Sequence, residues 1–162
     1  MRIIGIDPGY DRIGIAVIDK NNPKEVLVFS TCITTSAKTP FTERLITLGK
    51  TLEAIITEYQ PTEAAVEVLY FAKNSTTALA VAEARGVIQY LLTCNNVAIS
   101  EYHPNTIKLA ITGYGSADKK AITAMIPRLI QMDTSKKLDD ELDAIAVALT
   151  HSAHRNSHYP QK

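Results

Sequence analysis

Four carboxylates stand at positions from which a folded chain could bring them together around metal ions. Asp7 ends the first apolar run, RIIGID, and Glu67 lies inside a later one, AAVEVLYF. Asp140 and Asp143 stand in DDELDAIAVALT, at a spacing that places them about 60° apart on one helix face. Hard oxygen ligands of this kind suit Mg²⁺, and two such ions about 4 Å apart can clamp the attacking and leaving oxygens of a phosphodiester.

Each acid also has a plain structural explanation. Carboxylates in the first turn of a helix cap it and complement its dipole, which would account for DDELD. Asp7 precedes Pro8-Gly9, a good turn sequence, and Glu67 could point to water from one face of its strand. If the strands that carry Asp7 and Glu67 are parallel neighbours, both acids instead reach the sheet edge where ligands bind. Four such charges in a dry pocket need cations.

The apolar pattern predicts the elements that must position these acids. Three strands joined by short turns, RIIGID, RIGIAVID and EVLVFSTCIT, form an antiparallel meander. EAAVEVLYF and VAISEY are two further strands, and Asn74 or Ser75 can cap the helix between them. Helical spacing is found over residues 40–59, 75–94, 104–110 and 118–132, and from 139 onward. We therefore predict an α/β fold, with a five-stranded mixed sheet of a meander plus parallel strands, flanked by helices.

The totals favour one globular domain, which we place over residues 1–155, followed by a short tail over 156–162. Hydrophobic residues make up 46% of the 162 residues, and no apolar run approaches the roughly 18 residues that span a bilayer. An acid at position seven comes too early for a signal peptide, so we expect a cytoplasmic protein. Cys32 and Cys94 lack metal or redox spacing, and we expect them to be buried reduced thiols.

Charge does not by itself identify a ligand. The formal net charge is zero, which disfavours a simple nucleic-acid-binding protein. Residues 68–138 nevertheless contain eight basic and four acidic residues, so a basic middle lies between more acidic ends.

Four segments carry a family resemblance. They are IIGIDPG, AVEVLYFAKNSTTALAVAEARGV, EYHPNTIKLAITGYGSADK and DDELDAIAVALTH, and they are spread along most of the chain, from residue 3 to residue 151. In this order they resemble the RuvC-type Holliday-junction resolvases of the ribonuclease H-like superfamily. GIDPG alone is weak, since sugar-kinase and actin-like ATPases begin similarly, whereas AKN…ALAVAEARGV followed by GYGSADK is highly specific.

The resemblance implies a ribonuclease H-like fold and a metal-dependent endonuclease. Such an enzyme resolves four-way (Holliday) DNA junctions in recombination and repair by symmetric paired nicks, leaving a 5′-phosphate and a 3′-hydroxyl. It implies that Asp7, Glu67, Asp140 and Asp143 are catalytic acids that bind two Mg²⁺ ions per site, for which Mn²⁺ can substitute. Some relatives carry His at the last of these positions.

The resemblance also implies roles for basic and aromatic residues. Lys108 and Lys119 map onto two lysines required in the family, where cations could hold the scissile phosphate; otherwise they are ordinary solvated lysines. Tyr70, where the family usually has Phe, could stack on an unpaired base or simply fill the core. Lys73 and Lys120 are further expected DNA contacts.

A homodimer is also implied, since two identical sites suit two symmetric cuts. The small-residue face of Ala78, Ala82 and Gly86 would admit the partner, or equally the protein's own sheet. A branch-migration helicase complex is a further partner that the resemblance suggests. Departures from the family are Tyr10, and Ile13-Gly14-Ile15-Ala16 in place of Thr-Gly-Tyr-Gly, and they concern substrate fit.

Three other hypotheses remain at this point. His151, His154 and His158 have helical spacing that suits a transition-metal site, although a fraying tail is the commoner setting. A nucleotide-dependent phosphotransferase of the same superfamily would need a second half with another Gly-rich loop, for which 162 residues leave no room. A junction-binding module without catalysis would have no use for the acids.

Overall fold

The structure is a computed structural model that describes residues 1–21, 24–68, 77–132 and 137–156. Its strands are β1 (Arg2–Asp7), β2 (Arg12–Asp19), β3 (Glu25–Thr34), β4 (Glu63–Glu67), β5 (Ala98–Tyr102) and β6 (Ile130–Gln131). Its helices are α1 (Phe41–Tyr59), α2 (Ala78–Cys94), α3 (Pro104–Thr112), α4 (Lys119–Leu129) and α5 (Asp139–Asn156). Within these ranges, none of the helices combines the length and apolar character needed to cross a membrane.

The described strands form one sheet in the order β5-β4-β1-β2-β3-β6. β1, β2 and β3 are an antiparallel meander, and β4 and β5 run parallel to β1, which confirms the predicted mixed sheet. The sheet has six strands rather than the predicted five, because β6 pairs in parallel with the start of β3. The helix predicted over 118–132 therefore ends early: Ile130 adopts extended backbone and is buried against the sheet.

Helices cover both faces of the sheet at β1, β2 and β4, whose interior residues are all buried. Alternate residues of β1 point to opposite sides. Ile4 and Ile6 pack with Leu48 of α1 and Ile88 of α2 on one side. Ile3 packs with α5 on the other side, where α3 and α4 pack on the outer surface of α5. The fold is thus three-layered, with α5 enclosed between the sheet and two helices.

This enclosure explains why DDELDAIAVALT turns apolar on nearly every side. Ala144, Ile145, Val147 and Ala148 are all at 0% exposure, although they point in different directions around α5. Within this segment only residues 139, 140, 142 and 143, at its start, are partly or fully exposed. The predicted covered face is confirmed, and the acids lie where α5 emerges from its cover.

Two glycines let α5 lie directly on the sheet. A Cβ added to Gly14 of β2 would stand 1.9 Å from the carbonyl oxygen of Asp140, and one added to Gly5 of β1 would stand 2.3 Å from that of Ala144. Glycine within a strand commonly marks such a close backbone approach. Gly14 pairs with Asp7 across β1 and β2, so α5 meets the sheet at the end that carries Asp7.

The expectation that both cysteines are buried is wrong. Both thiols are free, with Cys94 exposed and Cys32 partly exposed. Cys94 ends α2 about 200° around the helix from the buried Leu92, so it faces away from the sheet. Cys32 lies in the part of β3 beyond its pairing with β6, where the strand is only partly covered.

Candidate active site

The structure brings the four predicted acids to one end of the sheet. Asp7 and Glu67 are the last residues of the adjacent parallel strands β1 and β4. Each lies on the α5 side of the sheet, since Glu67 shares its face with Ala65, which packs in the α5 core. The first two turns of α5 add Asp140 and Asp143, whose charges both act on Asp7. Glu67 is therefore partly covered by α5 and lines a cleft beside the other acids, rather than pointing from an uncovered face of the sheet, which was the alternative left open above.

Burial and like charge change the titration of the two strand acids. The pKa of Asp7 is raised from 3.8 to about 8, first by burial, then by the charges of Glu67 and Asp143. A hydrogen bond with Glu67 and the charge of Asp140 raise it further. The pKa of Glu67 is also raised, chiefly by burial, although its bond with Asp7 and the charge of Lys108 oppose the shift. At neutral pH this pair shares a proton, because two ionised carboxylates cannot be held together without a cation.

The two acids of α5 are held instead by protein cations. Lys119 Nζ lies 2.9 Å from Asp143 Oδ2 and 3.5 Å from Asp139 Oδ2. The bond to Asp143 is the main reason that the pKa of Lys119 is raised. On the other side of the helix end, Arg12 Nη1 lies 3.4 Å from Asp140 Oδ2.

A cleft of about 250 Å³ opens beside these acids. Glu67 and Asp143 form its acidic wall, and Lys108 and Lys119 form its basic wall. Its remaining lining is Pro104, Ile107, Ala117, Asp118, Ile122 and Ala146. The cleft thus presents carboxylates and ammonium groups to one space, as charge stabilisation at a phosphate requires.

The loop between α3 and α4 sets the positions of the two lysines. Gly113 ends α3 with a φ of 78°, a left-handed conformation that favours glycine. Asp118 then caps α4 by accepting a hydrogen bond of 2.8 Å from the Ala121 backbone N–H. Lys119 is consequently the first residue of α4. Its side chain and that of Lys108 both line the cleft beside α5.

The other predicted DNA contacts are placed less centrally or not at all. Lys120 is exposed on the first turn of α4 and is not part of the cleft lining. Tyr70 and Lys73 lie outside the described residues, as do the predicted helix caps Asn74 and Ser75.

The donor chemistry of the site fits a divalent cation. Within the described ranges, no three Asp, Glu, His or Cys side chains stand as a ready-made metal cluster. The charges of Glu67, Asp143 and Asp140 raise the pKa of Asp7, and the charge of Asp143 raises the pKa of Glu67, so added positive charge would relieve these carboxylates. Carboxylate oxygens are also the ligands that Mg²⁺ prefers.

The histidine hypothesis is not supported by the contacts. His151 is 3% exposed, and its Nδ1 lies 2.8 Å from Tyr102 Oη while its Nε2 lies 2.5 Å from Glu63 Oε2. His154 bonds through Nδ1 to the Thr150 carbonyl at 2.8 Å. His158 lies outside the described residues. Both ring nitrogens of His151 are therefore used in holding α5 to β4 and β5.

Sequence reasoning missed a buried arginine that holds the turn after Asp7. Arg44 of α1 is 3% exposed and stacks over the Tyr10 ring at 4.2 Å. Its guanidinium bonds the Tyr10 carbonyl, Thr35 Oγ1 at 2.9 Å and Asp11 Oδ1 at 3.0 Å. Nothing in the local sequence distinguishes Arg44 from a solvated helix residue, because its partners are far away along the chain.

Glu141 is a second missed residue. It is 8% exposed although it stands among four acids at a helix start. It accepts hydrogen bonds from Ser30 Oγ and from the Leu138 backbone N–H, the latter at 3.3 Å, and lies 3.6 Å from Lys137 Nζ. The reach back to Leu138 is the carboxylate half of a capping box, but Leu138 stands where the sequence signature has Ser or Thr, so the local pattern does not reveal this role. Glu141 thereby fixes where α5 begins.

Comparisons with known proteins agree with this architecture. The model of the family described as crossover junction endodeoxyribonuclease RuvC matches residues 3–151. A protein of that name from Petrotoga mobilis is 43% identical over 157 residues, which is 97% of this chain and 96% of that protein. Another from Caldicellulosiruptor saccharolyticus is 45% identical over 154 residues, covering 93% of this chain and 92% of that protein.

A solved structure shows the same fold. Thermus thermophilus RuvC in complex with Holliday junction substrate superimposes with a TM-score of 0.89 and 27% identity, covering 96% of this chain and 94% of that one. The predicted ribonuclease H-like family resemblance is thus confirmed in sequence and in fold. The chain belongs to the RuvC family of crossover junction endodeoxyribonucleases, which are nucleases dependent on divalent metal ions.

Proposed function

We propose that this protein resolves four-way DNA junctions by paired symmetric nicks, in recombination and repair. The observation that carries the proposal is the convergence of Asp7, Glu67, Asp140 and Asp143 beside a cleft with a basic wall. The complex of the Thermus thermophilus relative with a Holliday junction supports junction DNA as the substrate. A binding module without catalysis would have no reason to keep a cluster of acids whose burial is unfavourable.

The four acids would hold two Mg²⁺ ions, for which Mn²⁺ can substitute. Bound cations would supply the positive charge that activates a water and stabilises the leaving oxygen. In the hydrolysis, water oxygen attacks phosphorus, the bond to the 3′-oxygen breaks, and that oxygen gains a proton. Lys108 and Lys119 would hold the non-bridging oxygens of the scissile phosphate from the basic wall of the cleft. Lys73, Lys120 and a base-stacking Tyr70 are the further DNA contacts of the proposal.

We further propose a homodimer formed through α2. Ala82 and Gly86 are exposed, and a Cβ on Gly86 would meet nothing within 4 Å, so this face is not used against the sheet. Leu79 and Tyr90 on α2 are 72% and 67% exposed, and Ile46 on α1 is 56% exposed beside them. A partner covering this apolar surface would place two identical sites on two strands. A branch-migration helicase complex would be a partner of the dimer.

The test is nicking of a synthetic immobile four-way junction, with Mg²⁺ or Mn²⁺ against EDTA. Duplex and single-stranded DNA of the same sequences are the substrate controls. Asp143→Asn removes one proposed ligand charge, and Asp139→Asn is the matched variant, since Asp139 is 73% exposed in the same helix turn. We expect metal-dependent paired nicks in the junction alone, lost in Asp143→Asn and retained within a few-fold in Asp139→Asn.

Other results would contradict the proposal in different ways. Junction binding without cleavage at any metal concentration would favour a binding module. Equal cleavage of duplex and junction would refute structure selectivity. Full activity of Asp143→Asn would remove that carboxylate from the proposed metal-binding set.

A further inference from the structure

Asp140 and Asp143, near the start of α5, are each held by a cation of the protein, one on each side. Lys119 from α4 holds Asp143 at 2.9 Å, and Arg12 from β2 holds Asp140 at 3.4 Å. Lys119 also lines the cleft, so its contact places a phosphate-binding group against a metal-binding group. Arg12 is the corresponding cation on the other side of the acids, and neither the family resemblance nor the cleft lining gives it a role.

Arg12 is placed to reach a ligand outside the protein. Its side chain is 57% exposed, at the end of the β1–β2 turn that follows Asp7. The neighbouring carboxylate of Asp11 does not compete for it, since that group pairs with the buried Arg44 at 3.0 Å. The pair with Asp140 is long and exposed, and pairs of this kind are held by only a small free energy. A ligand that binds either Arg12 or Asp140 more strongly than they bind each other would separate the pair.

We propose that Arg12 is a DNA-phosphate-binding residue that Asp140 holds in the metal-free protein and releases when a divalent cation binds. The proposal rests on the proposed function, since it requires Asp140 to be a metal ligand. A cation at Asp140 neutralises the carboxylate that attracts Arg12 and repels the guanidinium itself. The released guanidinium presents a planar fork of donors that matches a phosphate, which is why arginine is favoured at such contacts.

In this exchange a cation replaces Arg12 at Asp140 and Arg12 moves to a DNA phosphate. The exchange predicts that one substitution of Arg12 changes metal affinity and DNA affinity in opposite directions. In Arg12→Gln the metal no longer competes with a protein cation at Asp140, so metal binding should become tighter. The same substitution removes a phosphate-binding group, so DNA binding should become weaker. A residue that only supports the local structure would weaken both.

The first measurement is calorimetric titration of the metal-free full chain with Mn²⁺ in the absence of DNA. The free energy of an exposed ion pair converts to a gain of about two- to fivefold in Mn²⁺ affinity for Arg12→Gln. Arg12→Lys keeps the charge and should stay within about twofold of wild type. An unchanged or weaker Mn²⁺ affinity in Arg12→Gln would overturn the exchange, as would an equal gain in Arg12→Lys.

The second measurement is fluorescence anisotropy of a labelled four-way junction in Ca²⁺, with a denaturing gel to confirm that the junction stays intact. We expect Arg12→Gln to bind about three- to tenfold more weakly than wild type. The slope of log affinity against log salt should become shallower by about 0.7–0.9 for each DNA phosphate that the variant no longer neutralises. Unchanged affinity and slope would overturn the phosphate role.

Lys24→Gln is the matched control for both measurements. It removes one positive charge at the opposite end of the sheet, where Lys24 bonds the Pro127 carbonyl at 3.0 Å. Neither the Mn²⁺ affinity nor the junction affinity of Lys24→Gln should change by more than about twofold. Equal effects in Lys24→Gln and Arg12→Gln would show that only net charge matters and would overturn the proposal. Failure of the proposed function is distinguishable, because the wild-type protein would then not cut the junction in Mg²⁺.

Discussion

Replacing Gly14 with alanine would push α5 away from the sheet at the candidate site. The added Cβ would lie 1.9 Å from the Asp140 carbonyl oxygen and 3.3 Å from the Ala144 Cβ. Ordinary contact begins near 3.4 Å, so the first turn of α5 must move by about 1.5 Å, the difference between 3.4 and 1.9. Because Gly14 is paired with Asp7, this movement separates Asp140 from Asp7.

Both stability and catalysis should respond. Overpacking of this kind costs about 1–3 kcal/mol in the free energy of unfolding. A displacement of about 1 Å at a reacting centre lowers the rate by about 10²-fold. Urea unfolding measures the first effect, and junction cleavage at saturating Mg²⁺, at a temperature where the variant is folded, measures the second.

Gly49→Ala is the matched control for this substitution. Its Cβ would lie 3.6 Å from Val87 Cγ1, an ordinary contact, and alanine within α1 should stabilise the helix by about 0.5–1 kcal/mol. The close-approach explanation is refuted if Gly14→Ala is destabilised as expected yet cuts within threefold of wild type. It is also refuted if Gly14→Ala and Gly49→Ala unfold at the same urea concentration.

Four other substitutions test charged residues at and near the site. The pKa of Asp7 is raised to about 8 in the folded protein, so ionisation of this group lowers the free energy of unfolding as pH rises from about 4 to 8. In EDTA, Asp7→Asn should therefore raise the Tm more at pH 8 than at pH 5. An equal rise at both pH values would contradict the raised pKa. Lys119→Gln should lower junction cleavage by about 10²–10³-fold with little change in Tm, because its ion pair is exposed but its charge lines the cleft in which we propose that the phosphate binds. In urea unfolding, Arg44→Ala should lower the free energy of unfolding by about 2–4 kcal/mol, whereas Asp11→Asn should lower it by less than about 1 kcal/mol. Similar losses in the two variants would show that the ion pair between Arg44 and Asp11 is the main interaction of Arg44.

The elements of the fold that depend on local pattern were predictable. RIIGID, RIGIAVID and EVLVFSTCIT match β1, β2 and β3 residue for residue, because period-two alternation and turn residues are properties of neighbouring positions. The helical start at Asp139 and the shared face of Asp140 and Asp143 were predictable for the same reason. The short strand β6 was not, since Ile130 leaves a helical pattern only to pair with β3, more than one hundred residues away.

The sequence by itself therefore determined which residue types are available and on which face of their own element each acid lies. The tertiary structure decided what covers those faces and which charges meet. Glu67 lines the candidate site because α5 lies over its side of β4, and α5 lies there because Gly5 and Gly14 leave room for its backbone. The pairing of Arg12 with Asp140 joins groups 128 residues apart. Burial and electrostatic partners depend on such distant elements, and neither period nor spacing within one segment can report them.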